Sequence, residues 1–138
     1  MLSQTTITVS THGRSTLEIT AKINAEIANT HFKQGLCHLF IQHTSASLII
    51  CENEDPNVRV DLENFMSNLV QDGDRRFIHT QEGPDDMSAH IRNILTENNL
   101  MIPVKEGKLN LGVWQGVFLW EHRLASHERK ILMTLISG

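Results

Sequence analysis

The sequence predicts an α+β fold, in which residues 1–138 form one domain with a largely antiparallel β-sheet or sandwich and two main helices. Strand-like segments come first, helical segments intervene twice, and strand-like segments end the chain, an order typical of α+β proteins. A length of 138 residues is that of one ordinary domain. An apolar share of 40% and a charged share of 20% indicate a globular protein rather than a disordered one.

The first third of the chain predicts a β-hairpin followed by a short helix. Apolar and polar residues alternate in TITVS, and the turn segment THGRS separates this strand from a second short one, TLEIT. Thr20 can cap a short helix in which Ile23 and Ile27 share one face. Gly35 would end this unit.

The middle of the chain predicts strands and two main helices. The segments LCHLFIQH and SASLIIC are typical of strands, and the slight break between them leaves open whether they form one strand or two. A helix is predicted over residues 56–70, because Asp55 can accept backbone N–H groups ahead of Pro56. Its apolar stripe consists of Val58, Leu62, Phe65, Met66 and Leu69. A second helix is predicted from about Asp86 to Glu97.

The last third of the chain predicts three strands. Their sequences are LMIPV, KLNLGVWQGVFLWEHR and RKILMTLI, and the turn signals KEG and LASHE separate them. The chain contains no repeat, linker or low-complexity segment. We therefore expect no second domain.

The charge distribution argues against a nucleic-acid partner. The net charge is −4, the pI is about 6.0, and basic residues are adjacent at only two places. Phosphate-backbone binding needs a clustered positive surface, which these scattered residues do not predict.

Apolar segments and cysteines favour a cytoplasmic protein. The longest apolar stretches are half a membrane span, and the first residues lack the pattern of a signal peptide, so we expect no membrane partner. Cys37 and Cys51 do not form a CxxC pair, and we interpret both as reduced core cysteines.

Three histidines from separate predicted elements suggest a metal site: His43, His90 and His122. Three neutral imidazoles and a water would give a divalent ion such as zinc an open catalytic position. Asp86 lies one helical turn before His90 and could orient that imidazole from outside the ion, although a helix cap at Asp85 or Asp86 also explains this carboxylate. We assign no ligand role to His12, His31, His38, His79 and His127, because they lie in turns or lack acidic and histidine neighbours at ligand spacing.

Small hydroxyl residues follow the first of these histidines. In a strand, His43, Ser45 and Ser47 would project from one face and line a polar pocket. The alternative is a strand end whose hydroxyls bind backbone groups. No G-x-S-x-G turn supports a serine nucleophile here.

Two carboxylates are candidates for a general base. Asp61 lies near the apolar boundary of its helix, where burial would raise its pKa, or else it belongs to the wet face. Glu121 shares a strand face with Gln115 and Arg123, at a strand end that turns abruptly polar. That end either borders a cleft or a subunit interface, or carries a solvated salt bridge between Glu121 and Arg123.

Four stretches together resemble the motif set of the YjbQ-like family, small bacterial and archaeal proteins also described as secondary thiamine-phosphate synthases. They are QHTSASL at 42–48, ENEDP at 52–56, EGPDDMSAHI at 82–91 and GVWQGVFLWEHR at 112–123. The resemblance covers nearly the whole chain and implies a compact α+β domain that assembles as a homotrimer with pockets near the subunit contacts. The residues that match motif positions are His43, Thr44, Ser45, Asn53, Asp61, Asp86, His90, Gln115, Glu121, His122 and Arg123.

The reaction implied by the resemblance joins an aminopyrimidine diphosphate to a thiazole phosphate and releases pyrophosphate. It requires a divalent cation, zinc or magnesium, and a basic group for phosphate, for which the planar fork of Arg123 is suited. The residues assigned to substrate binding are Thr44, Ser45, Asn53, Gln115 and Arg123. The sequence has no glycine-rich P-loop and no DDxxD-type acidic run, so its chemical support for this reaction is partial.

Three functions are consistent with these observations. The first is a small metal-dependent enzyme with a His-lined pocket that acts on a phosphorylated or heterocyclic small molecule, with thiamine-phosphate synthesis as one activity. The second is a metal-dependent hydrolase or isomerase with Asp61 or Glu121 as base. The third is a non-catalytic trimer that binds a metabolite or a metal. Metal content would separate either enzyme from a metal-free binding protein.

Overall fold

A computed structural model describes residues 1–138 as eight strands and three helices, which confirms the predicted α+β class. The strands are β1 Leu2–His12, β2 Ser15–Glu18, β3 Gly35–Ile41, β4 Ala46–Glu52, β5 Asn99–Lys105, β6 Lys108–Leu109, β7 Gln115–Glu121 and β8 Ser126–Ile136. The helices are α1 Thr20–Thr30, α2 Pro56–Leu69 and α3 Asp86–Leu95. None of these helices has the length and apolar character that crossing a membrane requires.

The strands form two sheets, and every pairing is antiparallel. The larger sheet has the order β1-β8-β3-β5-β6 and the smaller one has the order β2-β7-β4. Apolar side chains from both sheets and from α1 form one cluster of 20 buried residues, including Leu39 and Ile131 from the larger sheet and Leu119 from the smaller. This shared core fixes the two sheets and α1 relative to one another.

The predicted N-terminal hairpin is wrong, because β1 and β2 belong to different sheets. β1 pairs with β8 along its whole length, from Leu2 opposite Ile136 to His12 opposite Ser126. β2 pairs instead with β7. Gly13, with a φ of 107°, lies in the turn that redirects the chain between the sheets. Alternation of apolar residues identifies a strand but not its partner, and the long pairing with β8 prevails over a local one.

The middle and last strands divide at places that periodicity alone did not show. LCHLFIQH and SASLIIC form two strands, β3 and β4, in different sheets. The segment predicted as one strand from KLNL to EHR is two strands, β6 and β7, because a turn separates them. In that turn the backbone N–H of Gly112 donates to Oε1 of Gln115.

The helices begin largely as expected. The Asp55 carboxylate accepts the backbone N–H of Asn57 at 2.9 Å, which is the predicted cap of α2. Thr20 is the first residue of α1 rather than its cap. Its hydroxyl oxygen accepts the backbone N–H of Val117 at 2.8 Å and so joins the helix to β7.

Two of the five residues in the apolar stripe on α2 are exposed, contrary to the prediction. Met66 is buried with Val70 and Trp120 in a small second cluster, whereas Phe65 and Leu69 are 69% and 60% exposed. The helix therefore presents large apolar side chains that no other part of the chain covers.

Candidate metal centre

Three side chains from the region of α3 direct ligand atoms at one another. They are His79 Nε2, Asp86 Oδ2 and His90 Nε2, which all lie within 4.8 Å of each other, and we call them the histidine–aspartate cluster. Asp86 is the first residue of α3 and His90 follows one turn later on the same face. His79 comes from the loop before the helix.

A single carboxylate oxygen is the centre of the cluster. Asp86 Oδ2 lies 2.7 Å from His79 Nε2 and 3.1 Å from His90 Nε2. The Asp86 side chain is only 2% exposed, whereas those of His90 and His79 are 28% and 47% exposed. The cluster is therefore anchored in the protein and open to solvent on its imidazole side.

The tautomer of His90 follows from its second hydrogen bond. Its Nδ1 lies 2.9 Å from the backbone oxygen of Thr44, an acceptor, so Nδ1 carries a proton. In the neutral ring, Nε2 would then present a lone pair to the Asp86 carboxylate. Two lone pairs at this distance require a positive charge between them, supplied by a second proton on the ring or by a metal ion. Carbonyl-oriented imidazoles are typical of metal ligands.

Asp86 is held ionised. Burial would raise the pKa of this carboxyl, but the hydrogen bond from His79 and the nearby charges of His90 and Arg123 outweigh it and lower the pKa below its ordinary value. A carboxylate that stays ionised is a ready ligand for a divalent ion.

Arg123 supports the cluster from behind. Its Nη1 donates to Oδ1 of Asp86 at 2.7 Å, and its Nε donates to Asp85 at 2.9 Å. Its Nη2 donates to the backbone oxygen of Glu82 at 3.0 Å. Each guanidinium nitrogen of Arg123 is engaged by one partner, which leaves two of its five N–H donors for a substrate phosphate. The solvated salt bridge between Arg123 and Glu121 is not formed, since only the backbone N–H of Arg123 reaches Glu121.

His43 has partners in β8. Its Nε2 accepts the backbone N–H of Lys130 at 2.8 Å, and its Nδ1 lies 3.4 Å from Arg129. Burial, and next the charge of Arg129, lower the pKa of this imidazole. The ring thus accepts a backbone N–H of β8 just beyond the point where the pairing of that strand with β3 ends.

His122 lies in the interior of the protein. Arg92 donates from Nε to His122 Nδ1 at 3.1 Å, so Nε2 carries the proton and lies 2.8 Å from the Ser47 hydroxyl oxygen. Burial, followed by the charge of Arg92, lowers the pKa of His122 to about 2. The ring is therefore a neutral link in a buried network that continues from Arg92 to Glu63.

The three imidazoles predicted as ligands do not come together within one chain. His90 belongs to the cluster, while His43 lies against β8 and His122 is enclosed. Asp86, predicted to orient His90 from outside the ion, offers an oxygen of its own to the same point. Sequence reasoning missed His79, because a loop rather than a helix brings it near, and the only available signal was a histidine seven residues before Asp86.

The other predicted site residues lie apart from this cluster. Glu121 is fully buried and accepts hydrogen bonds from Arg129 at 2.8 Å and from Thr11 at 2.6 Å. Burial opposes ionisation of Glu121, but the hydrogen bonds from Arg129 and Thr11 outweigh it and lower its pKa. Asp61 is exposed on α2 and makes no side-chain hydrogen bond. Ser45 accepts a hydrogen bond from Arg129 at 3.0 Å.

The remaining polar residues divide between two regions. Thr44 borders a concavity of about 300 Å³ beside His90. Gln115 stands at the start of β7, opposite to the end that leads to Arg123, and binds the backbone of Gly112. Asn53 pairs through its backbone N–H with the oxygen of Trp114, in the same region as Gln115.

A larger concavity, of about 450 Å³, adjoins the cluster on the side of His79. It is lined by Gly73, Asp74, Arg75, Phe77, His79, Thr80, Gly83 and Pro84. Small-molecule sites have volumes of this order. The exposed edge of the cluster is therefore accessible to a ligand of that size.

Known proteins resemble this chain over almost all of its length. The sequence model of the family described as "UPF0047 protein YjbQ-like" matches residues 5–138. A UPF0047 protein of Synechocystis is 48% identical over 130 residues, which cover 94% of this chain and 88% of that protein. The UPF0047 protein YjbQ of Escherichia coli O157:H7 is 40% identical over 136 residues, 98% of each chain.

A solved structure shows the same fold. The crystal structure of a protein of the YjbQ/UPF0047 family from Clostridium acetobutylicum has a TM-score of 0.85 and 26% identity, and the alignment covers 96% of this chain and 99% of that one. The sequence motifs, the sequence relatives and the fold all point to the same family. This chain therefore belongs to the UPF0047 YjbQ-like family.

Proposed function

We propose that this chain is a metal-dependent enzyme whose ion is held by His79, Asp86 and His90, and that it acts on a small phosphorylated or heterocyclic molecule. One observation carries the proposal: two imidazole Nε2 atoms converge on one buried carboxylate oxygen, and the hydrogen bond from His90 to Thr44 directs a lone pair at that point. A cation there satisfies all three ligand atoms at once.

The ligand set favours a transition metal. Two imidazoles and one carboxylate suit zinc, iron or manganese, whereas magnesium prefers oxygen ligands only. Between the two ions expected from the sequence, zinc is therefore favoured. Three protein ligands would leave coordination positions open, and a zinc ion held there would supply a water of lowered pKa and polarise a substrate oxygen.

The concavity beside His79 suggests the substrate class. Arg75 lies at its edge, exposed and without a carboxylate partner, so its guanidinium is free to bind a phosphate in a bidentate manner. Phe77 is half-buried in the same wall and offers an apolar surface to a flat ring. Together with the cluster, these groups suit a molecule that carries both a ring and a phosphate.

Thiamine-phosphate synthesis is one reaction of this kind. It needs a divalent cation near a departing diphosphate and a cationic group for phosphate, and the cluster and Arg75 are suited to these tasks. A metal-dependent hydrolase would use the same ligands. A protein that binds a metal or a metabolite without catalysis would share the cluster and lack turnover.

The proposal includes the homotrimer that the family resemblance implies. Large apolar side chains of α2 and α3 support an assembly, because Phe65, Leu69, Ile94 and Leu95 are all more than half exposed. Sedimentation analysis of the native chain should give a mass close to that of a trimer, and a monomer would contradict this part of the proposal.

Metal analysis tests the centre. The chain purified without chelator should carry about one zinc or other transition-metal ion per protomer. His79→Gln and His90→Gln should lose most of it, because each removes one of three protein ligands. His12→Gln is the matched control, since His12 is an exposed histidine without a side-chain hydrogen bond, and it should keep the ion.

Two further variants discriminate the proposed ligand set from the one expected from sequence. Metal content should survive in His43→Gln and in His122→Gln when these variants fold. Loss of the ion in these two and retention in His79→Gln would overturn the assignment. Absence of any ion from the native chain, together with failure of zinc to bind on titration, would overturn the metal centre itself.

A further inference from the structure

A second concavity, of about 410 Å³, lies between β2 and the first turns of α2. Its walls are Ser15 and Thr16 from β2 and Pro56, Arg59, Val60, Glu63 and Asn64 from α2. None of these residues belongs to the histidine–aspartate cluster or to the concavity beside His79. We propose that this cleft binds the oxyanion group, a phosphate or a carboxylate, of a small molecule.

Arg59 differs from the other shielded arginines in having no carboxylate partner. Arg14 pairs with Asp72, Arg92 with Glu63, Arg123 with Asp85 and Asp86, and Arg129 with Glu121. Arg59 is half-buried, yet its guanidinium makes neither an ion pair nor a hydrogen bond. Its Nη1 is withdrawn from water without an acceptor, and shielded polar atoms of charged side chains are normally paired, so the missing partner points to a ligand.

The guanidinium of Arg59 is fixed in position rather than free to follow solvent. It lies over the ring of Phe118, 4.8 Å from the ring centroid, and Phe118 is itself buried. Its Nη1 is shielded from solvent and has no hydrogen-bond acceptor. Arg92 also has an unpaired Nη1, but its other nitrogens bind Glu63 and His122. Arg59 therefore carries the one guanidinium in the cleft that has no hydrogen-bond partner.

The other polar groups of the cleft are suited to an anion. The hydroxyl of Thr16 and the side-chain amide of Asn64 have no partner within the protein, and both can donate to an oxyanion. The Ser15 hydroxyl is already committed to the oxygen of Gly13. The one carboxylate in the wall, Glu63, is neutralised by Arg92, whose Nη2 lies 2.7 Å and 2.6 Å from its two oxygens.

Titration of the full-length chain with inorganic phosphate and, separately, with acetate tests the proposal. Ionic strength is held constant. Binding is followed by the NMR shifts of the backbone N–H groups of Thr16, Arg59 and Asn64 and of the side-chain N–H groups of Arg59 and Asn64. We expect saturable shifts at these residues. In Arg59→Gln, phosphate should bind at least about tenfold more weakly, a loss of ~1.4 kcal/mol. Shifts with both anions indicate a general oxyanion site, and shifts with phosphate alone indicate a phosphate site.

Arg75→Gln is the matched control, because Arg75 is another arginine without an acid partner and lies in the other concavity. It should retain phosphate binding at Thr16 and Asn64, and so should His79→Gln, which separates this site from the metal centre. Thr16→Val supplies a second variant and should weaken binding several-fold even where Arg59→Gln fails to fold. Absence of saturable shifts at Thr16 and Asn64, or shifts that are unchanged in both Arg59→Gln and Thr16→Val, would overturn the proposal.

Discussion

Asp86 connects Arg123 on one side of the candidate metal centre to the two imidazoles on the other. Its Oδ1 binds Arg123 and its Oδ2 faces both imidazoles, so one carboxylate joins the protein scaffold to the candidate ion site. The spacing of Asp86 and His90 could be predicted, because residues four apart on a helix share a face. The role of His79 could not be predicted, because no regular spacing of residues describes the path of the loop that carries it.

The buried imidazole of His122 should make stability depend on pH. Its folded-state pKa of about 2 lies below the ordinary value of 6.5, so between these values the unfolded chain takes up a proton there and the folded chain does not. The stabilisation is complete above pH 6.5 and is lost as the pH falls, at up to about 1.4 kcal/mol per pH unit from this residue.

Urea unfolding at about pH 7 and at about pH 5.5 measures this effect. In His122→Gln the free energy of unfolding should fall less steeply over that interval than in the native chain. His12→Gln, which removes an exposed imidazole, is the control and should keep the slope of the native chain. Equal slopes in the native chain and in His122→Gln would contradict the buried neutral ring.

At the scale of elements, α2 shows what a sequence pattern determines and what it leaves open. Its start was predictable because Asp55 and Pro56 form a chemical signal that acts locally. Its apolar stripe was also visible, but the pattern does not say whether the chain supplies a cover, and Phe65 and Leu69 are exposed. The predicted N-terminal hairpin is wrong for a related reason, because the strand that pairs with β1 lies at the other end of the sequence.

The cap of α2 provides a prediction at this scale. Asp55→Ala should lower the free energy of unfolding by about 1 kcal/mol, because the backbone N–H of Asn57 loses its acceptor. Asp61→Ala, on the exposed face of the same helix, should change it by no more than about 0.5 kcal/mol. Denaturant titration of both variants makes the comparison, and equal losses would argue against the cap. Full metal content in Asp61→Ala would also place this carboxylate outside the centre.

At the scale of the whole molecule, one buried ion pair joins the two sheets. Glu121 at the end of β7 binds Arg129 of β8 and Thr11 of β1, so a strand of the smaller sheet is tied to two strands of the larger. These contacts explain why the apolar strand β7 ends in a charged residue, Glu121. Of the predicted alternatives, the solvated salt bridge between Glu121 and Arg123 is wrong, since Glu121 pairs with Arg129 inside the protein.

Removing one member of this pair should be more harmful than removing both. Glu121→Ala leaves the Arg129 charge buried without compensation and should lower the free energy of unfolding by about 3–5 kcal/mol. Glu121→Ala combined with Arg129→Leu should recover a large part of that loss. Urea unfolding of the single and the double variant measures both losses of unfolding free energy. A single variant within about 1 kcal/mol of the native chain would show that the pair contributes little.

The pairing of β1 with β8 governs the order in which the molecule can be assembled. These strands run side by side over eleven residues each, and the N-terminal ammonium of Met1 donates to the oxygen of Ser137. The first strand of this domain to leave the ribosome thus stays unpaired until the last strand of the domain has emerged. Pairing between strands that lie far apart in the sequence is slow. A nascent chain released before β8 is made would expose the unpaired edges of β1 and β3 to other chains.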